Sequence, residues 1–253
     1  MSTLFVGQNI IDLDETESTN TYATNLIKES QVAEGTLVFA NKQTKGRGQL
    51  GNAWHSEGGK NLTFSLVLHP GFLSTDKQFY LSKITSLAAF GMLTEFLNIS
   101  RYDMKIKWPN DILVNNNKIA GILIENILRG NYLQSSIIGV GININQLNFT
   151  GIDKQATSLA VLLNKEFNLK DLLQLFCKHF EPLYLTLKQG NYGKISQAYL
   201  KQLYRFNEWV NYSALQKTFI AKITDVEESG LLVLTNRQQD VMKFNFKEVA
   251  FLE

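Results

Sequence analysis

The sequence predicts an α+β protein: a mixed β-sheet flanked by helices, followed by a small all-β unit. Three observations carry this expectation. Apolar runs of strand length bracket a glycine-rich loop at residues 44–60. Residues 76–98 and 168–204 repeat apolar side chains at helical spacing. The last 45 residues, from Trp209 onward, hold only short strand-like runs broken by turns. A chain of 253 residues suits one medium unit and one small one, and 44% hydrophobic against 19% charged residues excludes disorder. A formal charge of +2 excludes a protein-wide field for nucleic acid or anionic membrane, which leaves local basic loops to hold phosphate.

After a short extended arm, "ESTNTYATNLIKES" offers Ser18 or Thr19 as the cap of a helix starting near residue 19, with Tyr22, Ala23, Leu26 and Ile27 at helical spacing. "GTLVFANKQT" reads as a buried strand entering the glycine loop. "NLTFSLVLHP" leaves it as a second strand, with Leu62, Phe64, Leu66 and Leu68 along one face until Pro70 and Gly71 end it. Residues 76–98 place Phe79, Tyr80, Ile84, Leu87, Ala88, Phe90 and Leu93 on one broad apolar face of a long helix. "MKIKW", "DILVN" and "KIAGILIENIL" form a meander in which the asparagines of "NNN" tolerate the left-handed backbone of a tight hairpin, and "SSIIGVGININ" adds one more strand.

"NLKDLLQLFCKHFEPLYLTLKQG" and "YGKISQAYLKQLY" are helical, and the stripe Leu172, Leu173, Leu175, Phe176 and Phe180 is a packing face. The single Cys177 lies in that stripe, cannot make an internal disulfide and fits a reducing compartment. "EWVNYSA", "KTFIAKITDVEES", "GLLVLTN" and "VMKFNFKEVAFLE" are strands, with the clearest turn at Ser229 and Gly230. So few strands need closure or a partner to bury their faces, which points to a barrel-like appendix. The amino terminus lacks the basic flank and long apolar run of a signal peptide, and no apolar stretch is long enough to span a bilayer, so the expected location is cytoplasmic.

Gly46, Gly48 and Gly51 have the spacing G-x-G-x-x-G, but a dinucleotide fingerprint requires a helix directly after the third glycine. Here "NAWHSEGGKNLTFSLVL" runs into a strand instead, and the Gly-Lys-Ser/Thr of a phosphate-binding loop is absent. What remains is a long irregular loop carrying Lys45, Arg47 and Trp54, either a solvated hairpin or an anion-binding loop. "KIKWPNDILVNNNKIAGILIE" supplies a second cluster, with Lys105, Lys107, Asn110, Asp111 and Lys118 around two strands and Pro109 interrupting the first. "PND" alone could be an Asx turn. Two cationic clusters and a carboxylate together suit a nucleoside triphosphate, with basic groups on the phosphates and the carboxylate as a magnesium ligand. Gly139, Gly141 and Asn143 of "GVGININ" mark a place where backbone approaches something closely. His55, His69 and His179 are too scattered for a metal cluster.

In order and spacing, "ESTN", "QTKGRGQLGNAW", "KNLTFSLVL", "KWPNDILVNNNKIAGILIE" and "GVGININ" resemble the biotin protein ligases, from about residue 14 to the end. The arginine-rich and triple-glycine signature of lipoate ligases is not found. The resemblance implies a class II aminoacyl-tRNA synthetase-like catalytic fold over residues 1–205 and an SH3-like β-barrel over 206–253. It also implies the monofunctional form without a winged helix-turn-helix, hence no DNA partner, and it admits a homodimer; the charge and the lack of a spanning run leave no membrane partner expected. The implied reaction joins biotin to ATP with Mg2+ as activator, gives biotinyl-5'-AMP, and transfers biotin to one lysine of a biotin carboxyl carrier protein, with no tightly bound prosthetic group.

By the same resemblance, Lys118 contacts the biotin carboxylate and the α-phosphate, Arg47 is the second catalytic cation, and Asp111 either binds magnesium or receives the proton of the acceptor lysine. Ser18, Thr19, Asn20 and Gln43 meet biotin, with Gly46, Arg47, Gly48, Lys118 and Gly121 beside it. Arg47, Gln49, Trp54, Asn110, Lys118 and Asn143 meet the nucleotide, Trp54 beside the adenine. Gln49 stands where many relatives have arginine and cannot make a forked phosphate contact, so either loop closure rests more on Arg47, Lys45 or Lys60, or the adenylate is held less tightly. Two rivals are a lipoate or octanoate ligase of the same fold and a non-catalytic biotin-binding regulator; the presence of Lys118 and Asp111 weighs against the second.

Overall fold

The computed structural model describes residues 3–149, 155–214 and 216–252. Its elements run β1 (Ile10–Thr16), α1 (Thr19–Glu29), β2 (Leu37–Gln43), β3 (Leu62–Leu68), α2 (Phe79–Thr94), β4 (Met104–Lys107), β5 (Asp111–Val114), β6 (Asn117–Arg129) and β7 (Tyr132–Ile142). They continue with α3 (Leu159–Leu163), α4 (Leu169–Lys188), α5 (Tyr192–Gln202), β8 (Val210–Ala214), β9 (Lys217–Val226), β10 (Leu232–Asn236), β11 (Val241–Phe244) and β12 (Ala250–Phe251). The first seven strands form one sheet in the order β1-β2-β3-β7-β6-β5-β4. β1 runs parallel to β2, and the other pairs are antiparallel.

α1 covers one face of this sheet, against β2, β3 and β7, while α2 and α4 cover the other. That double cover explains a departure from the expected one-sided β3, because all seven of its residues are buried. Phe64, Leu66 and Leu68 enter the main core, while Val67 packs with Ala23, Val38 and Ile137 beneath α1. α2 departs from expectation in the same way: twelve of its sixteen residues are buried, since it also packs on α4 and α5. The β5–β6 hairpin is as expected, with Asn115 and Asn116 at φ of 50° and 63° between the paired Val114 and Asn117.

Ser18 stands at the N-cap of α1 with extended backbone but makes no side-chain cap; the Thr19 amide donates to Gln43 Oε1 at 2.8 Å instead. A β2 side chain thus satisfies the first turn, and the helix end is fixed to the sheet. α3 has only five residues, too few to show a period, and is capped by Ser158, whose Oγ accepts from the Val161 amide at 3.1 Å.

The C-terminal strands form a separate antiparallel sheet in the order β11-β10-β9-β8-β12. No ladder joins β11 to β12 among the described residues, so the expected barrel closure is not made by hydrogen bonds. The faces find a partner instead. Ile223, Val226, Leu232 and Leu234 share one core with α2, and the Trp108 ring lies 5.3 Å from that of Phe246. Trp108 Nε1 donates to Gly230 O at 2.9 Å, and Gly230, at φ of 101°, is a turn position where a Cβ would collide with the Phe79 ring. No helix among the described residues is long and apolar enough to cross a membrane.

Candidate active site

The floor of the cleft is the sheet face turned toward α1. Two rows cross it in register: Leu123, Gly139 and Ser65, and next to them Gly121, Gly141 and Thr63. The glycines are there because side chains lie on them. A Cβ at Gly139 would overlap the Asn20 amide, and one at Gly141 would overlap the Trp54 indole. The close approach expected of "GVGININ" is therefore made by the protein's own Asn20 and Trp54.

One end of the cleft is the first turn of α1. Ser18, Thr19 and Asn20 are all buried. Ser65 Oγ lies 2.8 Å from Thr19 Oγ1 and 2.6 Å from Asn20 Oδ1, and the amide of Asn20 donates through Nδ2 to Glu125 Oε2 at 2.8 Å. Polar groups held this way on a helix end and a strand form a rigid set of aimed donors and acceptors, which a buried polar ligand requires.

The glycine loop folds back over this end. The Trp54 amide donates to Gly46 O at 2.9 Å and the Gly48 amide to Asn52 O at 2.7 Å, which closes a narrow hairpin whose tip is a 3-10 turn, Gln49–Gly51. This hairpin carries the Trp54 ring onto Gly141 and Gly121. Trp54 Nε1 is buried there without a hydrogen-bond partner. Arg47 pairs with Glu125, Lys45 with Glu17 at 2.6 Å, and Lys60 with Glu166 at 3.2 Å.

The opposite wall is the β4–β5 turn and the start of β6. Lys118 Nζ stands 2.8 Å from Asp111 Oδ1 and 5.6 Å from the centre of the Trp54 ring. The approach to Asp111 is an ion-pair distance, but its direction leaves that buried oxygen without a hydrogen bond. Two buried polar atoms, Asp111 Oδ1 and Trp54 Nε1, thus flank one ammonium group without hydrogen bonds of their own. Buried groups in that condition are costly unless a ligand completes them. The Trp108–Pro109 peptide at this turn is cis.

Twelve of the residues singled out in the sequence line this one cleft: Ser18, Thr19, Asn20, Gln43, Arg47, Gly48, Gln49, Trp54, Asn110, Asp111, Lys118 and Gly121. Gly46 does not; it packs against the Trp54 backbone and faces a neighbouring recess. Asn143 does not either, because it is buried and its Nδ2 donates to Thr157 O at 3.0 Å. The Thr157 amide in turn donates to Lys118 O at 2.9 Å, so Asn143 braces the strand that carries Lys118. Asn110 lines the cleft, but its Nδ2 is spent on Ile122 O at 2.8 Å, which fastens the turn to β6. Sequence reasoning missed Phe246 and Lys247, which reach the cleft from the far end of the chain, and Glu125, which pairs with Arg47 and Asn20 and whose only signal was its place two residues beyond Leu123 on the same strand face.

The sequence profile described as the biotin/lipoate A/B protein ligase family matches residues 13–143. The chain is 31% identical over 242 residues to the "Bifunctional ligase/repressor BirA" of Bacillus spizizenii, covering 94% of this chain and 73% of that one. It is 27% identical to the "Biotin--[acetyl-CoA-carboxylase] ligase" of Paracoccus denitrificans, over 88% of this chain and 92% of that one. Among solved structures, the biotin protein ligase of Aquifex aeolicus in complex with biotin and ATP superposes with a TM-score of 0.78 at 26% identity, covering 96% of this chain and 98% of that one.

Proposed function

The chain belongs to the biotin/lipoate A/B protein ligase family, and from that premise we propose how its cleft works. It is an ATP-dependent ligase that activates biotin as biotinyl-5'-AMP and passes it to a protein. ATP and biotin are its substrates.

A carboxylate is a poor acyl donor, so the first step must make it a mixed anhydride. A biotin carboxylate oxygen attacks the α-phosphorus of ATP, the bond to the β-phosphate oxygen breaks, and pyrophosphate leaves. Two anions approach one another in this step, and cations fixed beforehand at the point of approach lower its barrier. The observation that carries this reading is the position of Lys118 Nζ, between the Asp111 carboxylate and the Trp54 ring. In our reading it meets the biotin carboxylate and the α-phosphate together. Arg47 joins it from the loop, the α1 end and Gln43 hold the ureido ring, and the adenine lies against Trp54.

Mg2+ suits this wall, because it is usually held by one or two carboxylates plus substrate phosphates rather than by a protein cage. Asp111 offers a buried oxygen without a hydrogen bond, and no cluster of three metal-binding acids, histidines or cysteines stands among the described residues. Mg2+ there would neutralise phosphate charge. In the second step the acceptor lysine, as its free amine, attacks the acyl carbon and AMP leaves; the nitrogen then sheds a proton, and taking it is the alternative duty of Asp111 to holding Mg2+.

The acceptor is the carrier domain of a biotin-dependent carboxylase. We read residues 1–205 as the catalytic unit, of the class II synthetase-like kind, and 206–253 as an SH3-like appendage; the separate β8–β12 ladder supports that division. Biotin-dependent exchange of pyrophosphate into ATP tests the reading. Exchange with biotin and none with lipoate or octanoate is expected. Exchange with lipoate alone would make the chain a lipoate ligase, and biotin binding without exchange would make it a regulator.

A further inference from the structure

We propose that Glu125 is a positioning residue that ties the arginine of the glycine loop to the biotin-facing end of α1, an inference that rests on the ligase reading. Glu125 lies on β6 opposite Ile137, one row behind the cleft floor. Its two oxygens serve two partners: Oε1 pairs with Arg47 Nη2, and Oε2 accepts from Asn20 Nδ2 at 2.8 Å.

Those partners differ in freedom. Asn20 is 3% exposed and is held from the other side by Ser65 at 2.6 Å, over a glycine that leaves it just enough room. The Arg47 side chain is 44% exposed on a loop, and its second amino group reaches only to Thr21 Oγ1 at 3.5 Å. The carboxylate is therefore anchored by a buried amide and restrains the freer guanidinium. Lys45 and Lys60 lack such an anchor, because their partners Glu17 and Glu166 have side chains 63% and 77% exposed. Of the three cations available to a loop that carries Gln49, Arg47 alone is tied to a fixed point of the site.

Two consequences follow from a charge-assisted bond shared in this way. The guanidinium is already oriented at the cleft rim when phosphate arrives, which removes part of the ordering cost of the adenylated state. Asn20 and Arg47 are also coupled, so occupancy of the biotin end is felt by the loop. Glu125 thereby sets how long the loop retains the reactive adenylate.

Glu125→Gln keeps an acceptor for Asn20 and removes the charge that holds Arg47; Glu125→Ala removes both. Tryptic cleavage after Arg47 in the ligand-free protein reads loop release, and escape of biotinyl-adenylate from the loaded enzyme reads retention. Each is expected to be about tenfold faster in E125Q, the factor for loss of one charge-assisted contact of about 1.4 kcal/mol. Biotin affinity should hold within about twofold in E125Q and fall in E125A, and E125Q should add nothing to the escape rate of Arg47→Ala. A folded E125Q with unchanged cleavage and unchanged escape overturns the proposal, as does a double variant whose escape rate is the product of the two single effects. Cleavage requires no substrate, so a wild-type protein that makes no adenylate counts against the ligase reading and leaves the Glu125 test readable.

Discussion

Lys118 is placed by its neighbours more than by its own strand. Its backbone is braced through Thr157 and Asn143, and its ammonium is held between Asp111 and Trp54. Lys118→Ala should lower biotin-dependent pyrophosphate exchange by about a hundredfold or more, the usual cost of losing one aimed donor to a developing charge. Near-normal exchange would remove Lys118 from the chemistry. Gln49→Ala should be mild, within about twofold, because a neutral side chain gives up no charged phosphate contact. Gly141→Ala places a methyl where the Trp54 ring lies, so it should shift Trp fluorescence and raise KM for ATP more than KM for biotin. At this scale the sequence pointed to the right place, since Lys118, Asp111 and the polar run Ser18, Thr19 and Asn20 all line one cleft. It was silent where the role is relational. Asn143, expected beside the nucleotide, hydrogen-bonds Thr157 O away from the cleft lining, and Glu125 reads as one more strand residue although it pairs with both Arg47 and Asn20.

The elements that meet the C-terminal sheet are held by buried polar groups. Trp108 Nε1 on Gly230 O is one such bolt, and Trp108→Phe keeps the ring packing while leaving a buried carbonyl unmet. A loss of about 1–3 kcal/mol in denaturant unfolding is expected. Lys83 of α2 is a second bolt, 1% exposed, donating to Val226 O at 2.8 Å and Ser196 Oγ at 3.2 Å. Desolvation pushes its pKa from 10.5 down to about 8, against the upward pull of Asp225 and Glu228. Between those pH values the unfolded chain holds a proton that the folded chain has lost. The contribution of Lys83 to stability therefore rises with pH through that window, by at most about 1.4 kcal/mol per unit. Burial pushes the Tyr199 and Tyr212 hydroxyls upward, and they act in the opposite direction near pH 10. The comparison must therefore be with Lys83→Met, whose stability relative to the wild type should fall from pH 8 to 10; a constant difference would contradict the assignment. Element types were legible because apolar period is local. The all-round burial of α2 was not, since it depends on α4, α5 and the C-terminal strands arriving from a hundred residues away.

Across the whole molecule, the expected α+β sheet with its small all-β appendage is present, and the cleft forms where the glycine loop, the α1 end and the β4–β5 turn converge. The C-terminal strands pack on α2 and Trp108, which brings Phe246 and Lys247 to the cleft wall. Neither could be read from spacing, because contact between residues 108 and 246 is a property of the folded chain alone. The central claim is tested most directly by mass spectrometry of a biotin carboxyl carrier domain incubated with the protein, biotin and ATP, beside a Lys118→Ala control. The account predicts one added biotin on one lysine with the wild-type protein and none with the control. An unmodified carrier together with normal biotin-dependent pyrophosphate exchange would contradict the transfer step, and equal modification by Lys118→Ala would contradict the site.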